Sequence, residues 1–384
     1  VSTLTRRDRV AVGAVQGGAL YYSDKRRWPE PAPGIFEKFG SPHPGGLTRP
    51  PTDVQGHQIG GFIVSDIDGT PKLYSGYGGA IRNIAPIHIW PLNLNGIWDP
   101  VPAHTMQCFG IHEYHVAEGK LWCYTEQGPK SFCTGSPGGT WVDGECFPHP
   151  GNDGGMTHGH HIARHDGYTW IAGQRTIYGN SGTVWRGTTP TGSDGEYVWG
   201  SPMTLGLYTP NDLFSYQGKL WMQPNSQSFD PEMPIWEDGL LCYWDESAHT
   251  FLPTDLRLSQ SSHATPWKNL MLVLGSYATA TPGVFSHRVE TFNGTTLTTV
   301  YESFLANSTV VNICVTADDT VWILDSTGVF RSSTDLVTWT ERMQLPSTID
   351  RTVTGFLSFS FTVYGDFVYT GDAHDQIWRA KVTP

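Results

Sequence analysis

The feature that most constrains this chain is a short run that recurs about every fifty residues. A small turn is followed by an apolar-aromatic pair in "GGALYYS", "TPKLYSG", "GKLWCYT", "GYTWIAG", "GKLWMQP", "KNLMLVL", "DTVWILD" and "GDFVYTG". The anchor residues are Tyr21, Tyr74, Trp122, Trp170, Trp221, Met271, Trp322 and Tyr369, and the steps between them are 53, 48, 48, 51, 50, 51 and 47. Self-similarity at a fixed period means that one supersecondary unit is used repeatedly, each unit burying its apolar face against the next.

Each unit reads as strands. An alternating segment such as "RVAVGAVQ" (9–16) or "LSFSFTVY" (357–364) leads into a tight turn and then the anchor strand, which makes a hairpin. A third strand opens with Gly or a polar residue ("PGIFEKF", "SGTVWRG", "PGVFSHR", "DQIWRAK"), and a fourth follows in units such as that of "VTWTERM". Four antiparallel strands per unit and a period near fifty predict an all-β fold, a β-propeller of four-stranded antiparallel blades. The count of anchors predicts eight blades, with seven blades and an irregular N-terminal unit as the alternative. A single domain over 1–384 is expected. The last unit, 355–384, holds only three strands, so residues 1–8 are expected to complete it and close the ring.

Composition agrees with that fold. Charged residues make up 16% of the 384, while Gly (44), Pro (27) and Trp (15) are abundant, a balance that favours turns and strands over helices. The net charge is −12 and the densest basic run is "KRR" at 25–27, so neither nucleic acid nor an anionic membrane surface is expected as a partner. No stretch approaches the roughly 18 apolar residues of a membrane span. "VSTLTRRDRV" carries charge with no apolar segment behind it, so no secretory leader is expected here; a leader already removed, or exit by lysis or within a particle, both fit. An initial Val is compatible with a GTG start codon.

Cys108, Cys123, Cys133 and Cys146 are spaced unlike any zinc pattern; four buried free thiols are favoured, with two local disulfides as the alternative. Cys242 and Cys314 read as core. The sequons at Asn293 and Asn307 matter only in a eukaryotic secretory route.

Candidate functional residues cluster in two long second-to-third-strand connections. Loops on a rigid scaffold are where ligands are usually met, and the first-to-second turns are too tight to serve. The segment 223–239 offers Asp230, Glu232, Glu237 and Asp238 beside Phe229 and Trp236. Paired carboxylates can act as acid and base in glycoside cleavage, and an aromatic beside polar groups can form a sugar platform; the alternative is a solvated loop. The connection 173–182 of the preceding unit carries Arg175 and Tyr178, suited to an anionic or sugar ligand, or is simply a turn rich in Gly and Asn. Trp90 and Trp98, in another long connection, read as blade-edge caps or exposed binding aromatics.

The run "HGHHIARH" (158–165) raises the question of a metal. His112, His158 and His160, with His57 and His263, fall in or near first strands, which line the channel of a propeller. An axial metal is therefore one reading, as in the carotenoid oxygenases with their four iron-binding histidines. The distances from anchor to His57, His112, His160 and His263 are 17, 10, 10 and 8 residues. That spread favours polar channel lining, and no metal or other cofactor is expected. Patterns for nucleotide phosphates, serine hydrolases and zincins are absent from the sequence.

"RSSTDLVTWTE" (331–341) resembles the Asp-box of sialidase-type propellers through Ser332, Ser333, Asp335, Thr338 and Trp339, without the usual Gly. The resemblance implies a stabilised turn between outer strands and no particular catalysis. In composition, Val start, missing leader and Gly/Trp-rich units, the whole chain resembles the propeller-containing minor tail proteins of phages that infect GC-rich bacteria. That resemblance implies a non-enzymatic structural and binding protein of a virion, recognising host surface glycans through multivalent display. Its location would be extracellular or virion-associated, and its partners glycans or other virion proteins. The alternatives are a secreted carbohydrate-active hydrolase or lyase and an intracellular protein-interaction propeller.

Overall fold

A computed structural model describes residues 15–16, 19–20, 31–40, 58–78, 85–108, 110–117, 119–126, 132–144, 157–175, 181–188, 198–200, 203–204, 209–225, 240–258, 264–278, 285–303, 310–325, 327–349, 352–353, 356–357, 361–372 and 377–382. It is a β-propeller, with seven blades among these residues. Blade 1 pairs Gln58–Ser65, Lys72–Gly78 and Leu92–Asn93, with the hairpin Ala85–Ile89/His104–Cys108 beside it. Blade 2 runs Gly110–Ala117, Lys120–Glu126, Phe132–Ser136, Thr140–Gly144. Blade 3 runs Thr157–His165, Tyr168–Arg175, Ser181–Thr188, with Val198–Trp199 and Met203–Thr204 sharing its outer edge. Blade 4 is Thr209–Tyr216, Lys219–Asn225, Leu240–Asp245, Thr250–Arg257, and blade 5 is Ala264–Trp267, Leu270–Ala278, Phe285–Phe292, Leu297–Ser303. Blade 6 is Val310–Val315, Val321–Asp325, Val329–Ser333, Thr340–Gln344. Blade 7 is Phe361–Tyr364, Phe367–Gly371, Ile377–Lys381 and, at its outer edge, Phe36–Lys38.

The first strand of each blade borders that of the next, and Phe361–Tyr364 borders Gln58–Ser65, so the ring is closed. Seven anchors, from Tyr74 to Tyr369, lie in the second strands and are at most 5% exposed. Burying an aromatic of this size is worth roughly 4–6 kcal/mol before entropic costs. Apolar clusters bridge neighbouring blades rather than filling one centre. Trp322, Phe330 and Met343 of blade 6 meet Phe361, Val368 and Ala380 of blade 7, and Trp221 and Leu241 of blade 4 meet Met271, Val273 and Phe292 of blade 5.

Two sequence expectations are corrected. The blades number seven rather than eight, and Phe36–Lys38 takes the outer edge that residues 1–8 were expected to fill. Both corrections have one cause. "GIFEKF" alternates like a third strand of a first blade, but it pairs antiparallel with the last blade, Phe36 opposite Ala380 and Lys38 opposite Trp378. Phe36 stacks on Phe330 with centroids 5.9 Å apart, and Phe39 meets the Tyr369 ring edge-on. The first unit thus supplies the closing strand instead of a blade. Residues 1–8 and Tyr21 lie outside the described residues.

Blades 2, 3, 4, 5 and 7 join their first and second strands through two residues, as expected, whereas blades 1 and 6 use six and five. Asp166-Gly167 and Gln217-Gly218 each connect directly opposed residues with positive φ at both positions, the backbone that a two-residue hairpin turn demands. Among the described residues no helix is long and apolar enough to cross a membrane.

Candidate functional site

The two loops singled out in the sequence leave the ring from equivalent ends of neighbouring blades. In blade 3 the second strand ends at Arg175, opposite Ser181; in blade 4 it ends at Asn225 and the chain re-enters at Leu240. Tyr178, Phe229, Asp230, Glu232, Trp236, Glu237 and Asp238 lie outside the described residues, and of Arg175 the strand position is described. Gln223 closes the second strand's buried stretch in blade 4. It is 1% exposed, its amide nitrogen donates to the Leu258 carbonyl at 3.3 Å, and its Oε1 has no hydrogen-bond partner among the described residues.

At the same end of blade 5 lies a polar cluster that sequence reasoning missed. Register places Tyr277 opposite Ser286, Gly275 opposite Arg288, Val273 opposite Glu290, and Arg288 opposite Glu302. Directly opposed residues share one face of a sheet. The apolar members of this face, Met271, Val273 and Phe292, pack on blade 4, so the polar members occupy the far end of the same boundary. Gly275 makes the arrangement possible: a Cβ there would lie 2.7 Å from the Tyr277 ring.

The hydrogen bonds form one network. The Tyr277 hydroxyl rests against the Glu290 carboxylate and 3.3 Å from the Arg257 carbonyl, and Thr299 Oγ1 donates to Glu290 Oε1 at 3.3 Å. Arg288 Nε donates to Glu302 Oε1 at 3.0 Å and to Ser286 Oγ at 3.1 Å, while its guanidinium lies 4.6 Å from the Tyr277 ring centroid. The Ser286 hydroxyl also donates to Glu302. The two carboxylates have opposite tendencies. Burial pushes the Glu290 carboxyl above its usual range despite the Tyr277 and Thr299 donors, whereas the Ser286 hydroxyl and then Arg288 hold Glu302 below it. A carboxyl whose burial favours its neutral form, a carboxylate held toward its ionised form, a guanidinium and a phenol ring thus stand together, chemistry that suits a hydroxyl-rich ligand. The sequence did hold a signal. In "FSHRVETF" Ser286, Arg288 and Glu290 alternate onto a face that should be apolar if it only joined blades.

His112 and His160 occupy equivalent positions. Each is the extra residue of a β-bulge in a first strand: Ile111 and Glu113 pair with Thr125 and Tyr124, as Gly159 and His161 pair with Gly173 and Ala172. Gly61, Asn211 and Val311 are the extra residues of the same bulge in blades 1, 4 and 6. The bulge is therefore a repeated backbone device that some blades build with histidine. His158 lies two residues before His160 in the same strand, and His57 and His263 lie outside the described residues. His161 Nδ1 is 3.3 Å from the buried Asp212 carboxylate of the next blade. Among the described residues no three His, Cys, Asp or Glu side chains converge as metal ligands.

Cys123 and Cys133 are buried and opposed across the second and third strands of blade 2 without forming a disulfide. Cys242 and Cys314 are also free, and Cys146 lies outside the described residues. Burial pushes the Cys242 thiol up to about 11, which leaves it unreactive. Trp98 packs against the boundary of blades 7 and 1 beside Phe39 and Leu92.

No family model matches the chain, and no curated protein matches it in sequence. Solved structures match in fold. The chain is similar to the WD40 domain of Neurospora crassa Pan2, with a TM-score of 0.54 and 9% identity over 93% of this chain and 100% of that one. It is likewise similar to a chain of the mitotic checkpoint complex, with a TM-score of 0.53 and 8% identity over 95% of this chain and 99% of that one. At such identities the likeness establishes the β-propeller fold alone.

Proposed function

We propose that this chain is a non-enzymatic binding module that holds a surface glycan at the mouth between blades 4 and 5, as part of a phage tail or of a cell surface. The observation that carries the reading is the polar face of blade 5. Tyr277, Ser286, Arg288, Glu290 and Glu302 stand beside the apolar cluster that joins blades 4 and 5, at the end from which the 226–239 connection leaves. Charged donors and acceptors flanking an aromatic ring recognise hydroxyls. Arg175, Tyr178, Phe229 and Trp236 are the loop residues proposed to complete the contact. The virion setting rests on the sequence character of the chain, and multivalent display would offset a weak single site. The acidic net charge of −12 argues against nucleic acid as the ligand.

The test places purified protein with intact candidate host cells and, separately, with their isolated surface polysaccharide. Retention and the release of new sugar ends are read from the same sample. The binding reading expects retention without release, and Tyr277→Phe, Trp236→Ala and Tyr178→Ala each weaken it. A second reading, glycoside cleavage, is favoured by the opposite protonation tendencies of Glu290 and Glu302. New sugar ends that vanish in Glu290→Gln would replace the first reading by the second. Ends that vanish only on changing Asp230, Glu232 or Glu237 would move the chemistry into the loop. Neither retention nor release would reject both.

A further inference from the structure

The tip of blade 5 carries an Asn-Gly pair. Asn293-Gly294 forms the turn between Phe285–Phe292 and Leu297–Ser303. The Asn293 side-chain oxygen accepts three hydrogen bonds, from the Thr295 amide at 3.0 Å, the Thr295 hydroxyl at 3.0 Å and the Thr296 amide at 2.9 Å. Gly294 has φ +95° and the Gln217 side chain fills the space a Cβ would take, so the position is fixed as glycine. Its own amide makes no hydrogen bond among the described residues.

We propose that Asn293 is a site of spontaneous deamidation, at which the Gly294 amide nitrogen closes on the Asn293 side chain. The nitrogen gives its proton to a base in solvent and bonds to Cγ. The Cγ–Nδ2 bond breaks, and ammonia leaves after taking a proton from water. Water then opens the five-membered imide. Attack at Cγ gives aspartate; attack at the main-chain carbonyl carbon gives isoaspartate. The ring-opened nitrogen recovers a proton in either case, so the net change is one water consumed and one ammonia released. The negative charge of the first step develops on Asn293 Oδ1, where three donors already point, an arrangement that stabilises such an oxyanion.

The same molecule contains its own comparison. Asn95-Gly96 is also an Asn-Gly turn, yet there the Gly96 amide donates to the Asn93 carbonyl at 2.8 Å, and the Asn95 side-chain oxygen accepts from the Ile97 amide at 3.1 Å. A nucleophile engaged in a hydrogen bond and a carbonyl with fewer donors both slow the reaction. The product at 293 has precedents as well. In blade 6 the equivalent turn is made by Asp335, whose carboxylate accepts from the Val337 and Thr338 amides at 2.9 and 2.8 Å. In blade 4 it is made by Asp245, which accepts from the Ala248 amide at 2.8 Å. Aspartate at 293 would reproduce that turn with charge-assisted bonds; isoaspartate would lengthen the main chain and break it.

The experiment holds the folded protein at mildly alkaline pH and follows the aspartyl and isoaspartyl forms of the two peptides by digestion and mass spectrometry. Asn293 is expected to convert several-fold faster than Asn95 in the folded chain, and the two rates to converge in denaturant. Thr295→Val removes one donor and is expected to slow Asn293 in the folded chain while leaving the denatured rate unchanged. Equal folded rates, a faster Asn95, or a Thr295→Val variant that reacts like the parent would overturn the proposal.

Discussion

Arg379 and Glu37 stand 342 positions apart in the chain and 2.8 Å apart in space. Arg379 Nε and Nη2 both reach Glu37 Oε1, and the guanidinium lies over the rings of Phe39 and Phe367 at 4.4 and 5.0 Å. This ion pair fastens the strand that closes the ring. Glu37→Ala leaves a buried guanidinium without its carboxylate and is expected to cost about 3 kcal/mol in urea unfolding. A loss under about 1 kcal/mol would rank the pair with ordinary surface bridges and assign closure to the aromatic contacts of Phe36 and Phe39.

Blades 5 and 6 are joined by two indole donors. Trp267 Nε1 donates to the Asp319 carbonyl at 2.8 Å, and Trp339 Nε1 to the Val300 carbonyl at 3.0 Å. Trp267→Phe and Trp339→Phe keep an aromatic ring at each place but leave a carbonyl unpaired. Each is expected to lower stability by about 1–2 kcal/mol, measured from denaturation midpoints. Because the indoles use different carbonyls, one in the first turn of blade 6 and one in the last strand of blade 5, the double variant should lose close to the sum. A much smaller loss in the double variant would mean that the boundary repacks as a unit.

What the sequence made legible was whatever one blade decides for itself. The anchors from Tyr74 to Tyr369 are buried in second strands because each unit must cover its own apolar face. The Asp-box-like turn formed where expected, between Val329–Ser333 and Thr340–Gln344, with Leu336, at φ +62°, and Val337 filling the region where the related motif has its glycine. Leu336 is 5% exposed in the cluster between blades 5 and 6, and that burial offsets the strain of its backbone. Partner choice at long range was not legible. "GIFEKF" has the same alternation whether it pairs within a first blade or with a strand 342 positions away. The blade 5 cluster was not legible for a related reason: Arg288 and Glu290 lie in a strand rather than a loop, and they become a candidate site only when the preceding blade covers their apolar neighbours.

His287 gives the protein an acid-sensitive element. Burial pushes its imidazole down from 6.5 to about 4, so the folded chain resists the charge that the unfolded chain accepts. The stability it supports is complete above pH 6.5 and is lost as pH falls toward 4. Since the ring is only partly buried, solvent reduces the effect to something on the order of 1 kcal/mol. In His287→Gln the fall in thermal midpoint between pH 6.5 and 4 should be shallower than in the parent. An identical fall in both would place the acid sensitivity elsewhere.

Glu290 acts with the opposite sign. Its folded-state pKa is raised above 4.5, chiefly by burial, so its favourable contribution is present below that value and is lost as pH rises through the raised one. At neutral pH the folded chain carries either a buried carboxylate or the work of keeping it protonated. Glu290→Gln removes that load while its side-chain oxygen can still accept from Tyr277 and Thr299. The variant is expected to melt no lower than the parent at pH 7 and to show a smaller difference between pH 4 and pH 7. Tyr277→Phe does the reverse: it removes a donor that favours the charged form, drives the carboxyl higher, and widens that difference. In the double variant the hydroxyl has no carboxylate left to serve, so the pH effect of Tyr277→Phe should disappear. A Glu290→Gln variant destabilised most at pH 7 would instead mean that the ionised carboxylate is well paired, with Arg288 as its partner.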